Sequence, residues 1–404
     1  MEALEGIARI LHRAAAPELS RIIPSHAGHH FPGTLPVNRS PALTTRASTL
    51  LCGTAFPTPS VPDFTSEYLF ALTNPGAERA LKSEAAATGS GWRPGFQARG
   101  MVTFKCPAPE RPFTARDLLT PLAFARRLCL FTGKSASREE SLAALTAAGF
   151  SAPDHDGTRL HELTLTSGRF APTEAHPDAP PPAPGTMMGT LMELNPGAFW
   201  SGIHWHAPLL SPHPAGCSGI TLPEDSPSRA WLKLEEAARF FGLQFHPRDV
   251  VVELGCAPGG VLLALLRRGV SVIGVDPARL APAVMEHAVP AVPPAGSSPR
   301  PWVVHCRKPA ALVSKRDLAG QATWFMSDMN QSPAVAIKEC ARFIRMCPSI
   351  RSAVITLKLT DLAEASEKPA WLQAMRDMGF PTVRLQQLCV HHRELALLGL
   401  HRRD

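Results

Sequence analysis

The sequence predicts an α/β chain, with a parallel-dominated sheet of nucleotide-binding type in its second half and a smaller α+β region before it. Three observations carry that prediction. Residues 250–260, VVVELGCAPGG, run from an apolar β-branched stretch into an acid, Glu253, and then into a glycine-rich turn. Residues 261–269, VLLALLRRG, continue with a leucine-rich helical pattern, and residues 270–276, VSVIGVD, give a second apolar strand that again ends on an acid, Asp276. Past that point strand and helix patterns alternate almost to the end. Two strands joined by one helix run parallel, and apolar strands without polar alternation need cover on both faces. A turn stripped of side chains lets a ligand approach the backbone closely.

In chain order, residues 1–62 hold little strand pattern and pass into a Pro/Ser/Thr-rich passage, FPTPSVPDFTS, so an extended or disordered segment is expected. The start, MEALEGIARILHRAAAPEL, is interrupted by Glu2, Glu5 and Glu18 and lacks the apolar core of a secretory signal. Residues 67–73 (EYLFALT) read as a strand and 74–88 (NPGAERALKSEAAAT) as a turn entering a helix. Residues 96–106 (FQARGMVTFKC) read as a strand or bent strand pair, and 115–127 (ARDLLTPLAFARR) as a helix running into a further strand. That order predicts a ferredoxin-like α+β module over 63–135. It holds no clustered acids or His/Cys pairs, so a binding or positioning role is expected of it.

Residues 136–220 form a third region. A helix (SREESLAALTAAG) and a strand (LHELTLT) lead to the proline-rich linker PTEAHPDAPPPAPG, after which 189–203 resumes strand-like alternation. His204 and His206 fall on one strand face, a spacing that a metal could use. No third ligand stands nearby, so exposed strand histidines are expected and no metal is assigned. From residue 221 onward the pattern is a single domain reaching 404. SPSRAWLKLEEAARFFGL is an amphipathic helix carrying Lys233, and strands follow at 302–305, 322–328, 353–359, 382–388 and 394–400. Helices are expected over 335–346 and 370–378.

Composition bounds the function. At 404 residues and 45% hydrophobic content, with no apolar run near the ~18 residues of a membrane span, a soluble multidomain protein is expected. The net charge of +7 is uneven: residues 221–404 carry 23 Lys+Arg against 17 Asp+Glu, and the first 220 carry 18 against 17. The basic half suits a polyanion such as nucleic acid. Nine cysteines stand singly without CxxC spacing, which fits reduced thiols and a cytoplasmic location better than a disulfide framework.

The glycine rhythm of ELGCAPGG differs from that of dinucleotide sites. An acid before the turn and another closing the next strand suit an adenosyl ligand with an amino-acid tail. Asp276 would accept both ribose hydroxyls, and the backbone of residues 255–260 would admit the methionine part of S-adenosyl-L-methionine. The candidate cofactor residues are Glu253, Gly255, Cys256, Ala257, Pro258, Gly259, Gly260, Asp276 and Asp328. Asp328 and Lys358 fall at or near the carboxyl ends of expected strands, the edge where α/β sheets place ligands. With Lys233 and Glu394 they form a candidate catalytic set. A lysine held neutral by desolvation and a neighbouring ammonium could take a proton from a ribose hydroxyl.

SPSRAWLKLEEA, ELGCAPGG, GVDPARL, WFMSDM, TLKL and HHREL together resemble the FtsJ-like (RrmJ-type) ribose 2′-O-methyltransferases, with the RlmM type the nearest pattern. The resemblance implies a Rossmann-like methyltransferase domain over 221–404. It also implies a Lys233–Asp328–Lys358–Glu394 tetrad with Lys358 as the base, and RNA as partner, 23S ribosomal RNA or a precursor. YLFALTNPGAERAL and LAFARRL resemble that family's ferredoxin-like leading domain. MELNPGAFWSGIHWH resembles the end of its THUMP-type RNA-binding domain, shortened here over 136–220. Val261 stands where the family usually has an aromatic residue, and VVHCRKPA lacks its acid near the adenine. The alternative these departures leave is a weakly active or inactive methyltransferase fold that binds RNA in ribosome assembly.

Overall fold

The computed structural model describes residues 64–106, 112–114, 117–118, 122–151, 159–166, 169–173, 182–207 and 210–402. The extension expected over 1–62, and most of the proline-rich linker, lie outside the described residues.

The carboxyl-terminal sheet has seven strands: β9 (Val250–Leu254), β10 (Ser271–Val275), β11 (Val303–Cys306), β12 (Trp324–Ser327), β13 (Ser352–Lys358), β14 (Thr382–Gln386) and β15 (Glu394–Leu400). Their order is β11-β10-β9-β12-β13-β15-β14, parallel throughout except for β15, which is antiparallel to both neighbours. Every residue of β9 and of β10 is buried, which is why both read as uninterrupted apolar runs. The strand order reverses between β9 and β12, and that reversal opens a crevice at their carboxyl ends. The principal covering helices of this half are α3 (Ala230–Phe241), α4 (Gly260–Arg267), α5 (Pro333–Met346) and α6 (Lys368–Asp377). Gly260–Leu266 of α4 are all buried, so this helix has no solvent face to make polar.

The preceding half is built on β1 (Tyr68–Leu72), β2 (Arg93–Ala98), β3 (Met101–Lys105), β4 (Arg127–Ser135), β5 (Leu160–Thr166), β6 (Arg169–Pro172), β7 (Met187–Asn195) and β8 (Ala198–Trp205). Two helices belong to it, α1 (Glu78–Ala87) and α2 (Arg138–Ala147). All eight strands form one sheet, in the order β2-β3-β1-β4-β8-β7-β5-β6. The boundary expected at 135/136 therefore falls inside a continuous sheet, because β4 pairs with β1 on one side and β8 on the other. The bend within 96–106 is a hairpin turning at Gly100, whose φ is +82°. Of the helix expected over 115–127, the described residues hold only short turns, and β4 starts at Arg127.

The two sheets lie in one compact unit and meet through polar contacts. Gln386 Nε2 donates to the Ala123 and Ala125 carbonyls at 3.0 and 2.9 Å, and the Gln387 amide donates to Ala123 O at 2.7 Å. Glu84 of α1 accepts from the amides of Ala123 and Phe124 and pairs with Lys368 of α6. Cys217 and Cys389 are joined by a disulfide with Cα atoms 5.5 Å apart, which corrects the expectation of reduced thiols at this pair. Single cysteines 172 residues apart give no spacing signal to read.

Candidate active site

Four of the expected residues come together at the carboxyl edge of the sheet, and the topology explains how. Asp328 follows the last residue of β12, its amide donating to Leu254 O of β9 at 3.0 Å. Lys358 ends β13 and Glu394 begins β15, and the antiparallel register sets them directly opposite each other. Lys233 reaches in from α3. The side chains close into a ring. Lys233 Nζ donates to Asp328 Oδ1 at 3.0 Å and Glu394 Oε1 at 2.9 Å, and Lys358 Nζ lies 2.8 Å and 2.6 Å from the same two atoms. Two ammonium groups face two carboxylates, so the ring carries no net charge. Its side chains keep 15–22% of their exposure, enough to stay reachable.

Burial lowers the proton affinity of Lys358, but Asp328, followed by hydrogen bonds to Asp328 and Glu394, outweighs it and raises the pKa above the ordinary lysine value. The neutral lysine expected from desolvation and a second ammonium is therefore corrected: two carboxylates within 2.8 Å hold Lys358 as an ammonium. Burial pushes the Glu394 carboxyl up, yet the hydrogen bond from Lys358 and the charge of Lys233 bring it down to about 2. Both partners of that bond favour the ion pair.

Beside the ring lies the glycine turn. Gly255 has φ +75°, and a Cβ there would meet the Met329 backbone at 2.9 Å. A Cβ on Gly260, the first residue of α4, would sit 2.4 Å from Ser228 Oγ, so both positions are closed to larger residues by backbone and helix packing. Asp276 accepts from the amides of Ala257 at 3.1 Å and Ala278 at 2.8 Å, fixing its carboxylate over the turn through Cys256, Ala257, Pro258 and Gly259. Glu253 is 2% exposed and its Oε2 has no hydrogen-bond partner. Burial, then repulsion from Asp328 and Asp276, raises its pKa well above the ordinary value. A buried, unpartnered carboxyl with two carboxylates acting on it fits the cationic end of a ligand, whose charge would favour its ionised form.

Sequence reading missed His391. It is 2% exposed and, with Lys233, Glu253, Ser327, Asp328 and Thr356, lines a cavity of about 380 Å³ counted out to its mouth. Burial pulls its pKa down to about 4, so the ring is neutral, with Nδ1 accepting from the Leu388 amide at 3.3 Å. The paired histidines just ahead of Glu394 in HHREL were the available signal. His204 and His206, expected on an exposed strand face, are instead 2% and 8% exposed. Both faces of β8 are buried from Trp200 to Trp205, so the strand offers no solvent side there, and His206 just past its end is covered as well.

Residues 227–347 match the family model of the FtsJ-like methyltransferases. The ribosomal RNA large subunit methyltransferase M of Laribacter hongkongensis is 30% identical over 245 residues, covering 50% of this chain and 63% of that protein. Its namesake in Azotobacter vinelandii is 31% identical over 172 residues, covering 41% and 43%. That of Colwellia psychrerythraea is 41% identical over 86 residues, covering 19% and 22%. The chain spans less than two thirds of the length of these relatives. Through the segment that builds the glycine turn and carries Lys233 and Asp328, this chain is similar to the FtsJ-like methyltransferases, and to relatives of the ribosomal RNA large subunit methyltransferase M type.

Proposed function

We propose that this chain is an S-adenosyl-L-methionine-dependent ribose 2′-O-methyltransferase acting on RNA, with 23S ribosomal RNA or a precursor as substrate in the cytoplasm. The observation that carries the reading is the closed ring of Lys233, Asp328, Lys358 and Glu394 at the switch point, next to a glycine turn bracketed by Glu253 and Asp276. The match of residues 227–347 to the FtsJ-like model supports it, as does the basic balance of the same half.

The residues present fit the cofactor. The unpartnered Glu253 carboxyl and the Asp276 carboxylate would hold its cationic and ribose ends, and the glycines at 255, 259 and 260, packed against Met329, Val284 and Ser228, keep the turn between those two acids tight. When bound, S-adenosyl-L-methionine supplies a methyl group on a positively charged sulfur, open to attack by an oxygen. The chain's own residues then position and deprotonate. The two lysine ammonium groups orient the ribose hydroxyl by donating to its oxygen. Lys358 accepts the hydroxyl proton only after giving the one held between Asp328 and Glu394 to solvent, which the 22% exposure of its side chain permits. Asp328 and Glu394, which hold that proton at 2.8 and 2.6 Å, set how readily Lys358 gives it up.

The test is transfer of a tritiated methyl group from the cofactor to ribosomal RNA prepared from cells lacking this protein, with 2′-O-methyl sites mapped before and after. Incorporation at a defined ribose is the expected result. Cofactor binding by calorimetry with no incorporation into any ribosomal RNA fragment would instead favour a non-catalytic RNA-binding role.

A further inference from the structure

A second polar cavity lies where the eight-stranded sheet meets the edge of the seven-stranded one. Arg126, Arg127 and Leu128 at the start of β4, His204 and Trp205 at the end of β8, and Arg384 of β14 line it, around a space of about 360 Å³ counted out to its mouth. No Asp or Glu is among the described lining residues. Each of its four polar side chains has a buried nitrogen without a hydrogen-bond partner: Arg126 Nε, Arg127 Nε, Arg384 Nε and His204 Nε2. Arg126 and Arg127 are 4% exposed and His204 2%, whereas Arg384 stays partly open to solvent.

The remaining bonds show that these side chains are fixed. Arg126 Nη2 donates to Thr73 O at 3.0 Å, and Arg127 Nη2 donates to the carbonyls of Ser211 and His213 at 2.6 and 2.8 Å. Arg126 Nη1 also donates to the disulfide sulfur of Cys217, and Arg384 Nη2 to Gln386 Oε1 at 3.5 Å. All these acceptors are neutral, which orients a guanidinium but leaves its charge in place. The carboxylates that act on two of these arginines are engaged elsewhere. Glu236, which acts on Arg126, accepts from the Ser218 amide at 3.1 Å and hydroxyl at 2.6 Å. Glu84, which acts on Arg384, is held by Lys368 and two amides. Desolvation lowers all three guanidinium pKa values to about 10, still charged at neutral pH. His204 Nδ1 lies 3.7 Å from the Cys129 sulfur, whose thiol burial pushes up to about 12 and keeps protonated. The tautomer with its proton on Nε2 leaves Nδ1 to accept from that thiol and supplies a fourth donor.

We propose that this cavity binds a tetrahedral oxyanion of the phosphate class. Two buried guanidinium groups and a third partly open one, each with a buried N–H unused and no lining carboxylate, are costly unless an acceptor with negative charge joins them. Planar guanidinium groups match the oxygens of a phosphate group. The occupant is either free inorganic phosphate or the terminal phosphate of a nucleotide chain, since both offer the same oxygens. The inference is independent of methyl transfer.

Equilibrium binding to the full chain tests it, in chloride buffer at constant ionic strength, with inorganic phosphate in one arm and a 5′-phosphorylated trinucleotide in the other. The unphosphorylated trinucleotide serves as control. Saturable 1:1 binding in either phosphate arm is expected, about tenfold or more weaker in Arg384→Met and in His204→Phe. The stronger arm names the source. Absence of saturable binding in both arms overturns the proposal on the unmodified protein alone, whatever the variants do. Binding left unchanged in a folded Arg384→Met or His204→Phe protein also overturns it, by placing the anion elsewhere.

Discussion

The protein holds two polar clusters of opposite design, one at the carboxyl edge of the seven-stranded sheet and one where β14 of that sheet meets β4 and β8 of the other. In the ring of Lys233, Asp328, Lys358 and Glu394 every charge has a partner within 3.0 Å, and the sum is zero. In the cavity of Arg126, Arg127 and Arg384 the charges have the same sign and the lining holds no carboxylate. A neutral ring can exchange one partner for a substrate group at low cost, because each ammonium keeps a second carboxylate. A one-sign cluster cannot rearrange to satisfy itself and calls for something from outside. Pairing favours turnover, and surplus charge favours binding.

The largest effect that would break this contrast is expected at Lys358. Lys358→Ala removes one ammonium but leaves Lys233 bridging both carboxylates, so the fold should survive while the proton acceptor is lost. Methyl transfer should fall by about 10²–10⁴-fold. Transfer within threefold of the unmodified protein, in the tritium assay, would strip Lys358 of the base role. Because its pKa is raised, the neutral form gains population only as pH increases. The rate of unmodified protein should therefore climb through the alkaline range, and a rate independent of pH from 7 to 10 would show that another group takes the proton.

Acid should act next, on the histidines of both clusters before it reaches the carboxylates of the ring. His391 beside the ring has a folded pKa of about 4, below the ordinary 6.5, and His161 and His204 near the arginines lie well below it. A depressed histidine favours the fold in its neutral form. Its contribution is present above about 6.5 and is lost as pH falls toward 4. Glu394, depressed to about 2 from 4.5, keeps its contribution above about 4.5 and loses it as pH falls toward 2. Scanning calorimetry should show the melting temperature dropping first between pH 6.5 and 4, and Glu394→Gln should leave that first drop intact. A melting temperature flat from pH 7 to 4.5 would contradict the burial of these histidines.

The ring was legible in the sequence and the arginine cavity was not, for a physical reason. Glu253, Asp328, Lys358 and Glu394 sit at strand ends, where apolar runs stop and a lone charge stands out, and all point to one sheet edge. Lys233 needed only the helical period around it. Arg126 and Arg127 lie in a stretch whose turn residues mimic a helix, and Arg384 is one of three partly exposed residues opening β14. Nothing local marks them as neighbours. The continuity of β4 with β8 was equally hidden, since a strand's sequence does not state which partners flank it. The protonation of Lys358 was misread because desolvation is visible in a sequence pattern, whereas the distances to two carboxylates are not.

The smallest expected effect joins the two sheets. Asn74, just past β1, is 6% exposed, and its Nδ2 donates both hydrogens across the interface, to Leu388 O and His391 O, each at 2.8 Å. Those carbonyls flank the turn that the His391 amide closes on Leu388 O at 3.0 Å, three residues ahead of Glu394. Asn74→Ala leaves two buried carbonyls short of a donor, at about 1–3 kcal/mol of stability. If the turn sets Glu394, kcat should fall about tenfold. The cofactor's affinity should hold, because Gly255–Gly260 and Asp276 lie on β9 and β10's side of the crevice. Asn74→Asp, which keeps the shape but faces the carbonyls with oxygen, should lower kcat at least as far. Loss of stability in both variants with kcat unchanged would make Asn74 a tether between sheets and leave Glu394 positioned by its register with Lys358 alone.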